Sequence, residues 1–311
     1  MRLIFMGTPD FSLPSLKRLL DSDHQVLAVV TRPDRPRGRG LKETSPPVKL
    51  LASSRGVPVL QPESLKDAQF VRRLSEYRAD LFVVVAFRIL PQEVVTMPSR
   101  GTIDVHPSML PRYRGAAPIQ WAIINGETQT GVSVFFIGRA IDAGDIIRQR
   151  AVDIDPDETA GELSAKLSRV SAEVLMEVID EMDRGEVSVT SQAGAEPCPA
   201  PKITRQHGRI HWDRPAREVK NLIRGLNPSP GAFTDFAGKT MKIYRAELAG
   251  SSPDGAAPGE ITVADNRTGL VVNTADGQLS LAEIQLEGKK RMNSAEFLRG
   301  SRLQTGDRFE G

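Results

Sequence analysis

The chain has 311 residues, 40% of them hydrophobic and 26% charged, with a formal net charge of +2. That is the balance of a soluble globular protein of about two domains, and no apolar run approaches the ~18 residues of a membrane span. The single cysteine, Cys198, excludes an internal disulfide and a multi-cysteine metal centre and points to a reducing, cytoplasmic setting.

Leu3 to Met6 reads as a short first strand and is too short for the apolar core of a signal peptide. Gly7-Thr8-Pro9 turns it, and Phe11 to Leu20 has helical spacing. Gln25 to Thr31 is apolar enough to be buried in a parallel sheet. This β-α-β start predicts an α/β, Rossmann-like doubly wound fold. The G-x-G-x-x-G fingerprint is missing, so no dinucleotide site is indicated. Residues 32–47 hold four prolines and two glycines, which predicts no regular element. A loop this long in a compact domain is usually functional or disordered. A helix from Pro46 to Ala52, a small strand Val57–Leu60 and an amphipathic helix Leu65–Tyr77 follow. Asp80 to Phe87 should be a central parallel strand, and Arg88-Ile89-Leu90-Pro91 leaves its carboxyl end, where open α/β sheets bind ligands.

The stretch Gly101–Gln120 is the densest in special residues. Ile103 and Val105 alternate with Asp104 and His106, so the carboxyl and the imidazole share one strand face. Pro107 stops the strand. Such a histidine is equally well read as a structural residue satisfied by its neighbours. Pro111 is expected to keep the next segment extended, and Pro118 to open a helix ending near Gly126. Strands Gly131–Ile137 and Ile146–Val152 bracket Asp142-Ala143-Gly144-Asp145, where Asp142 is either a turn former or a functional carboxylate. A long helix, Thr159–Met182, closes the first domain, expected at 1–183. Residues 184–208 read as a linker. In 209–311 a helix, Arg214–Arg224, precedes five short strands separated by turn signals, the pattern of a small β-barrel.

Charge is uneven. Residues 32–42 carry a net +4 and residues 201–245 a net +7, on an otherwise acidic chain. Each cluster alone is an ordinary solvated face; together they favour a polyanionic partner.

Asp104-Val105-His106-Pro107-Ser108-Met109-Leu110-Pro111 resembles the Asn-x-His-x-Ser-Leu-Leu-Pro pattern of the folate-dependent formyltransferases. Tyr113-Arg114-Gly115-Ala116-Ala117-Pro118-Ile119, Gly7-Thr8-Pro9-Asp10-Phe11 and Ile141-Asp142-Ala143-Gly144-Asp145 are similar to the branch that acts on methionyl-tRNA. The resemblance covers nearly the whole chain. It implies a Rossmann-like catalytic domain, an OB-like C-terminal β-barrel, and formyl transfer from 10-formyltetrahydrofolate to the initiator tRNA for translation initiation. It also implies catalytic roles for Asp104, His106 and Asp142, and folate contacts from Ser108, Met109, Leu110, Pro111, Phe87, Ile89 and Leu90. RNA contacts fall on Arg35, Arg37, Arg39 and Lys42. The folate is a diffusible cosubstrate, no metal is implied, and a monomer is expected.

One position departs from the pattern: the family's Asn is Asp104. An Asn side chain donates two N–H groups and an ionised Asp none. Losing one oxyanion donor typically costs ~3–4 kcal/mol. A protonated Asp104 would still donate, and Asp142 nearby would favour that state. The expectation is a weak enzyme, or one whose activity rises as pH falls, with Asp104→Asn gaining at least about tenfold near neutral pH. Two other readings stand beside this one. A small-amine formyltransferase would need neither the basic loop nor the C-terminal domain. A non-catalytic folate- or RNA-binding descendant would bind both without turnover.

Overall fold

Every residue of the segment Leu81–Val85 is buried, as expected of a strand covered by helices on both sides of a sheet. It lies inside the first of two compact units that the computed structural model contains, in which residues 1–37 and 42–310 are described. The first unit comprises 1–115, 129–153 and 164–200; the second comprises 116–128, 154–163 and 201–311.

In chain order the first part runs β1 (Arg2–Gly7), α1 (Leu13–Leu20), β2 (Gln25–Val30), β3 (Arg35–Arg37), β4 (Lys42–Thr44), α2 (Pro47–Ser54), β5 (Val59–Leu60) and α3 (Ala68–Glu76). Then come β6 (Leu81–Val85), α4 (Gln92–Val95), β7 (Thr102–His106), β8 (Arg112–Gly115), α5 (Pro118–Ile124), β9 (Gln129–Phe136), β10 (Ile146–Asp153), α6 (Ala160–Arg184) and β11 (Cys198–Ala200). Seven strands form one sheet in the order β5-β2-β1-β6-β7-β9-β10. It is parallel from β5 to β7, and β9 and β10 join antiparallel. Ile4, Met6, Phe82 and Val84 alternate onto one face and share a core with Val30, Phe70 and Leu74. The chain leaves β1 toward β2 and returns on the other side as β6, the kind of switch beside which open α/β sheets bind ligands at their carboxyl ends.

Three segments differ from expectation. Residues 32–47 contain the hairpin β3–β4, paired through Arg35↔Thr44 and Arg37↔Lys42. In a two-stranded ribbon every strand is an edge, so Pro36 can be accommodated there. Asp34, at its base, pairs with Lys49 and accepts a hydrogen bond from Gln61 (2.7 Å). Residues 108–111, expected as extended backbone beside the strand end, form a turn with a cis Leu110–Pro111 bond, and the chain runs extended only after Pro111, as β8. Within 184–208, β11 pairs in parallel with β8.

In the second unit α6 begins with a reciprocal cap. The Thr159 N–H donates to Glu162 (2.8 Å), and the Glu162 N–H donates back to the Thr159 hydroxyl (3.3 Å). Helix α7 (Ala216–Gly225) precedes β12 (Ala232–Phe236), β13 (Lys239–Leu248), β14 (Ile261–Asp265), β15 (Gly269–Asn273) and β16 (Gln278–Leu286), then β17 (Met292–Asn293) and α8 (Ser294–Leu298). The antiparallel sheet has the order β12-β13-β16-β15-β14. The C-terminal tail bridges both outer ends, Asp235↔Glu310 and Glu260↔Arg308, and closes the sheet into a small barrel. Trp212 and Phe309 stack at 5.7 Å in its core. Among the described residues no helix is long and apolar enough to cross a membrane.

Candidate active site

Strand β7 ends at the carboxyl edge of the sheet. Asp104 lies opposite Val84 on one side and Phe135 on the other, and His106 lies opposite Ser133. The loop between β9 and β10 brings Asp142 to them. One ligand atom from each of Asp104, His106 and Asp142 lies within 4.8 Å of the others. Such a set could ligate a divalent cation only by displacing any proton on Asp104.

His106 is 5% exposed. Its Nε2 is 2.9 Å from the Tyr113 carbonyl oxygen, which can only accept, so Nε2 carries the proton. In the neutral ring Nδ1 then holds the lone pair, and it lies 3.7 Å from Asp142 Oδ2. Burial pushes the His106 pKa below 6.5; the Asp142 carboxylate and the Tyr113 carbonyl oppose that shift without reversing it. His106 is therefore a neutral base at pH 7, and a proton taken at Nδ1 would face a carboxylate. Asp142 Oδ2 is itself held by the Gly115 N–H at 2.8 Å. Tyr113 (φ +60°) and Asp142 (φ +51°) both sit in the left-handed region. Such strain is usual where backbone is bent to serve a site.

Asp104 Oδ1 accepts from the Val105 N–H (2.9 Å). Burial, and then the Asp142 carboxylate, push its pKa up to about 8; the Val105 N–H pulls the other way. The residue as a whole is of intermediate exposure, so dense protein around the carboxyl is what acts, while water still reaches part of it. A pKa above 7 leaves it mostly protonated at neutral pH, and a neutral carboxyl carries one O–H donor. The sequence reading placed this protonation below neutral pH; burial moves it above.

The Ser108–Pro111 turn is tied from beneath. The Ser133 hydroxyl donates to the Ser108 carbonyl (2.6 Å) and accepts from the Leu110 N–H (3.0 Å) and from Gln149 (2.8 Å). Gln149 also donates to the Leu110 carbonyl (2.9 Å). The Ser108 hydroxyl donates to the Arg112 carbonyl. Leu110 is 3% exposed and packs on Phe135 and Ile146, so it supports the turn from within the core. Met109 and Pro111 keep partial exposure. Past β6, Phe87 and Leu90 pack partly on the sheet core while Ile89 is 77% exposed. Arg88 caps Phe87 at 5.3 Å and donates to the carbonyls of Pro62 and Glu63. Arg35, Arg37 and Lys42 belong to the β3–β4 hairpin, and Arg39 lies outside the described residues. Burial and then Arg32 lower the Arg88 pKa, and Arg35 of the hairpin is close enough to lower it further.

Sequence reasoning missed Tyr113, Gly115, Ser133, Gln149 and Gln192. Tyr113 and Gly115 act through backbone groups, which leave no side-chain signature. Ser133 had one available signal, a lone hydroxyl in the apolar run Val132–Phe136.

Residues 1–179 match the family described as formyl transferase, and 202–302 match the formyl transferase C-terminal domain. A methionyl-tRNA formyltransferase of Geobacter metallireducens is 44% identical over 99% of this chain and 98% of its own length. One from Pelotomaculum thermopropionicum is 45% identical over 98% and 97%. Among solved structures, the sugar 3N-formyl transferase WlaRD, crystallised with dTDP and 5-N-formyl-THF, superposes with a TM-score of 0.68 at 18% identity, covering 93% of this chain and 99% of that one. HypX from Aquifex aeolicus, in complex with tetrahydrofolic acid, gives 0.63 at 20% identity over 96% of this chain, which spans about half (47%) of HypX. The chain belongs to the formyl transferase family, in its methionyl-tRNA formyltransferase branch.

Proposed function

We propose that the chain transfers the formyl group of 10-formyltetrahydrofolate to the α-amino group of methionyl-tRNA, the initiator of translation, acting as a cytoplasmic monomer. The observation that carries this reading is the end of β7: His106 bonded through Nε2 to the Tyr113 carbonyl, with Nδ1 3.7 Å from Asp142, beside the Asp104 carboxyl.

The folate donor is a substrate that comes and goes. The surroundings suit it: partly exposed Met109, Pro111 and Phe87 and exposed Ile89 offer apolar surface beside a polar strand end. The neutral amine attacks the formyl carbon, and the carbonyl π pair moves to oxygen. The Asp104 O–H donates to that oxyanion in place of an amide N–H. His106 Nδ1 takes the proton released by the amine, and the imidazolium is stabilised by Asp142. Collapse of the tetrahedral centre breaks the bond to the folate nitrogen, which receives a proton from His106. Arg35, Arg37, Arg39 and Lys42 meet the RNA phosphates, for which paired guanidinium hydrogen bonds are well matched. The basic surface of the second unit adds salt-sensitive backbone contacts.

The test is to incubate the protein with labelled 10-formyltetrahydrofolate and, separately, methionyl-tRNA, a glycinamide ribonucleotide or an amino sugar. Labelled formylmethionine is the expected product. Label in a small amine instead, or binding of folate and tRNA without turnover, would overturn the reading.

A further inference from the structure

We infer that Gln192 is a positioning residue for this transfer: its side-chain amide locks the Asp142 turn to the end of β8, and so fixes Asp142 against His106. The inference rests on the reading of the site given above.

The turn needs such a lock. Asp142 has φ +51°, a left-handed conformation that Asp adopts more readily than most residues but still at a cost. Gly144 lies so close to β9 that a Cβ there would be 1.7 Å from the Phe136 carbonyl oxygen. The backbone bond from the Phe136 N–H to the Asp145 carbonyl (3.0 Å) anchors the far side of the turn. On the near side Gln192 Nε2 donates to the carbonyls of Asp142 (3.2 Å) and Gly144 (2.7 Å). Its Oε1 accepts from Arg114 (2.8 Å). Two carbonyls on one end and a guanidinium on the other admit only this orientation of the amide. Gln192 is 5% exposed, so every polar atom of its side chain is used inside the protein.

Arg114 belongs to β8, and β8 serves His106 twice. Its Tyr113 carbonyl sets the His106 tautomer, and its Gly115 N–H holds Asp142. Gln192 thus bridges the two segments that flank His106. Its own segment is anchored on both sides. Thr190 exchanges two backbone bonds with Ile146, and Cys198–Ala200 pairs with β8. Gly115 fits beneath that pairing, because a Cβ there would be 2.6 Å from the Ala200 carbonyl oxygen.

The experiment compares the full-length parent with Gln192→Met, close in volume and without hydrogen bonds, and with Gln192→Ala. Folding is followed by circular dichroism. Two quantities are read: kcat and KM for methionyl-tRNA, and the titration of the His106 ring by NMR. Among the described residues, the carboxyl groups clustered with His106 are those of Asp104 and Asp142. Asp142 is the one that raises the pKa of His106, so its drift should move the titration to lower pH. The expected result is a fall in kcat of about tenfold or more, a KM within about twofold of the parent, and a lower His106 titration. A folded variant with parental kcat, or with a lower kcat but an unmoved titration, would overturn the role. If the parent does not formylate methionyl-tRNA, the acceptor reading fails, and the His106 titration still decides whether Gln192 positions Asp142.

Discussion

At the scale of single residues, His106 is the pivot, and each of its nitrogens has one duty. Nε2 is committed to the Tyr113 carbonyl and Nδ1 is left as the base. His106→Ala should reduce turnover by on the order of 10² or more, the usual scale for a lost acid–base group; near-parental kcat in a folded variant would remove His106 from the mechanism. Asp104 also marks stability. Its folded pKa of about 8 stands above the ordinary 3.8, so between those values the folded chain keeps a proton that the unfolded chain releases. The stability linked to that proton is full at low pH and is lost as pH rises through 8. Asp104→Asn has no such proton, so its melting temperature should gain on the parent's as pH goes from 5 to 9. Parallel curves would mean that Asp104 titrates normally.

At the scale of elements, the site is two strand ends and a turn. Gly144→Ala would put a methyl group into the Phe136 carbonyl. A displaced Asp142 turn and a kcat lower by about tenfold or more are expected, with parental kcat as the contrary outcome. The basic segment 32–42 makes a separate prediction. Neutralising Arg37 and Arg39 should weaken use of tRNA far more than folate binding and lower the salt slope by about one per lost phosphate contact; an unchanged slope would make the loop a solvated face. A period of two made the shared strand face of Asp104 and His106 legible in the sequence, with Pro107 marking the strand end, while their roles came only from the family resemblance. Asp142 read equally well as a turn former, and only the resemblance singled it out. The groups that orient them were not legible. A carbonyl, an N–H and one glutamine in a Pro- and Gly-rich segment carry no periodicity. Leu110 misled in the other direction: a motif position suggested contact with ligand, but its side chain packs under the turn.

At the scale of the whole molecule, strand patterning made a Rossmann-like part and a β-rich part legible, but not the bounds of the compact units. Those group 116–128 and 154–163 with 201–311, and 184–200 with the first unit. The closure of the barrel was not legible either. It depends on tail residues 308–310 with no strand-like run of their own. Phe309 is buried against Trp212 and Phe236. Phe309→Ala should cost about 3–5 kcal/mol in urea unfolding of the second unit, and a negligible cost would show that the tail is dispensable. The most direct test of the catalytic proposal is the pH dependence of kcat/KM for formyl transfer to methionyl-tRNA, measured for the parent and for Asp104→Asn. In the parent, an acid limb is expected where His106 gains its proton. An alkaline limb near pH 8 should mark the loss of the Asp104 proton, with a fall of about tenfold between pH 7 and 9. In Asp104→Asn the alkaline limb alone should vanish, leaving activity near the parent's at pH 7 and well above it at pH 9. A parent with no alkaline limb, or the same limb in both proteins, would contradict a protonated Asp104 as the oxyanion donor.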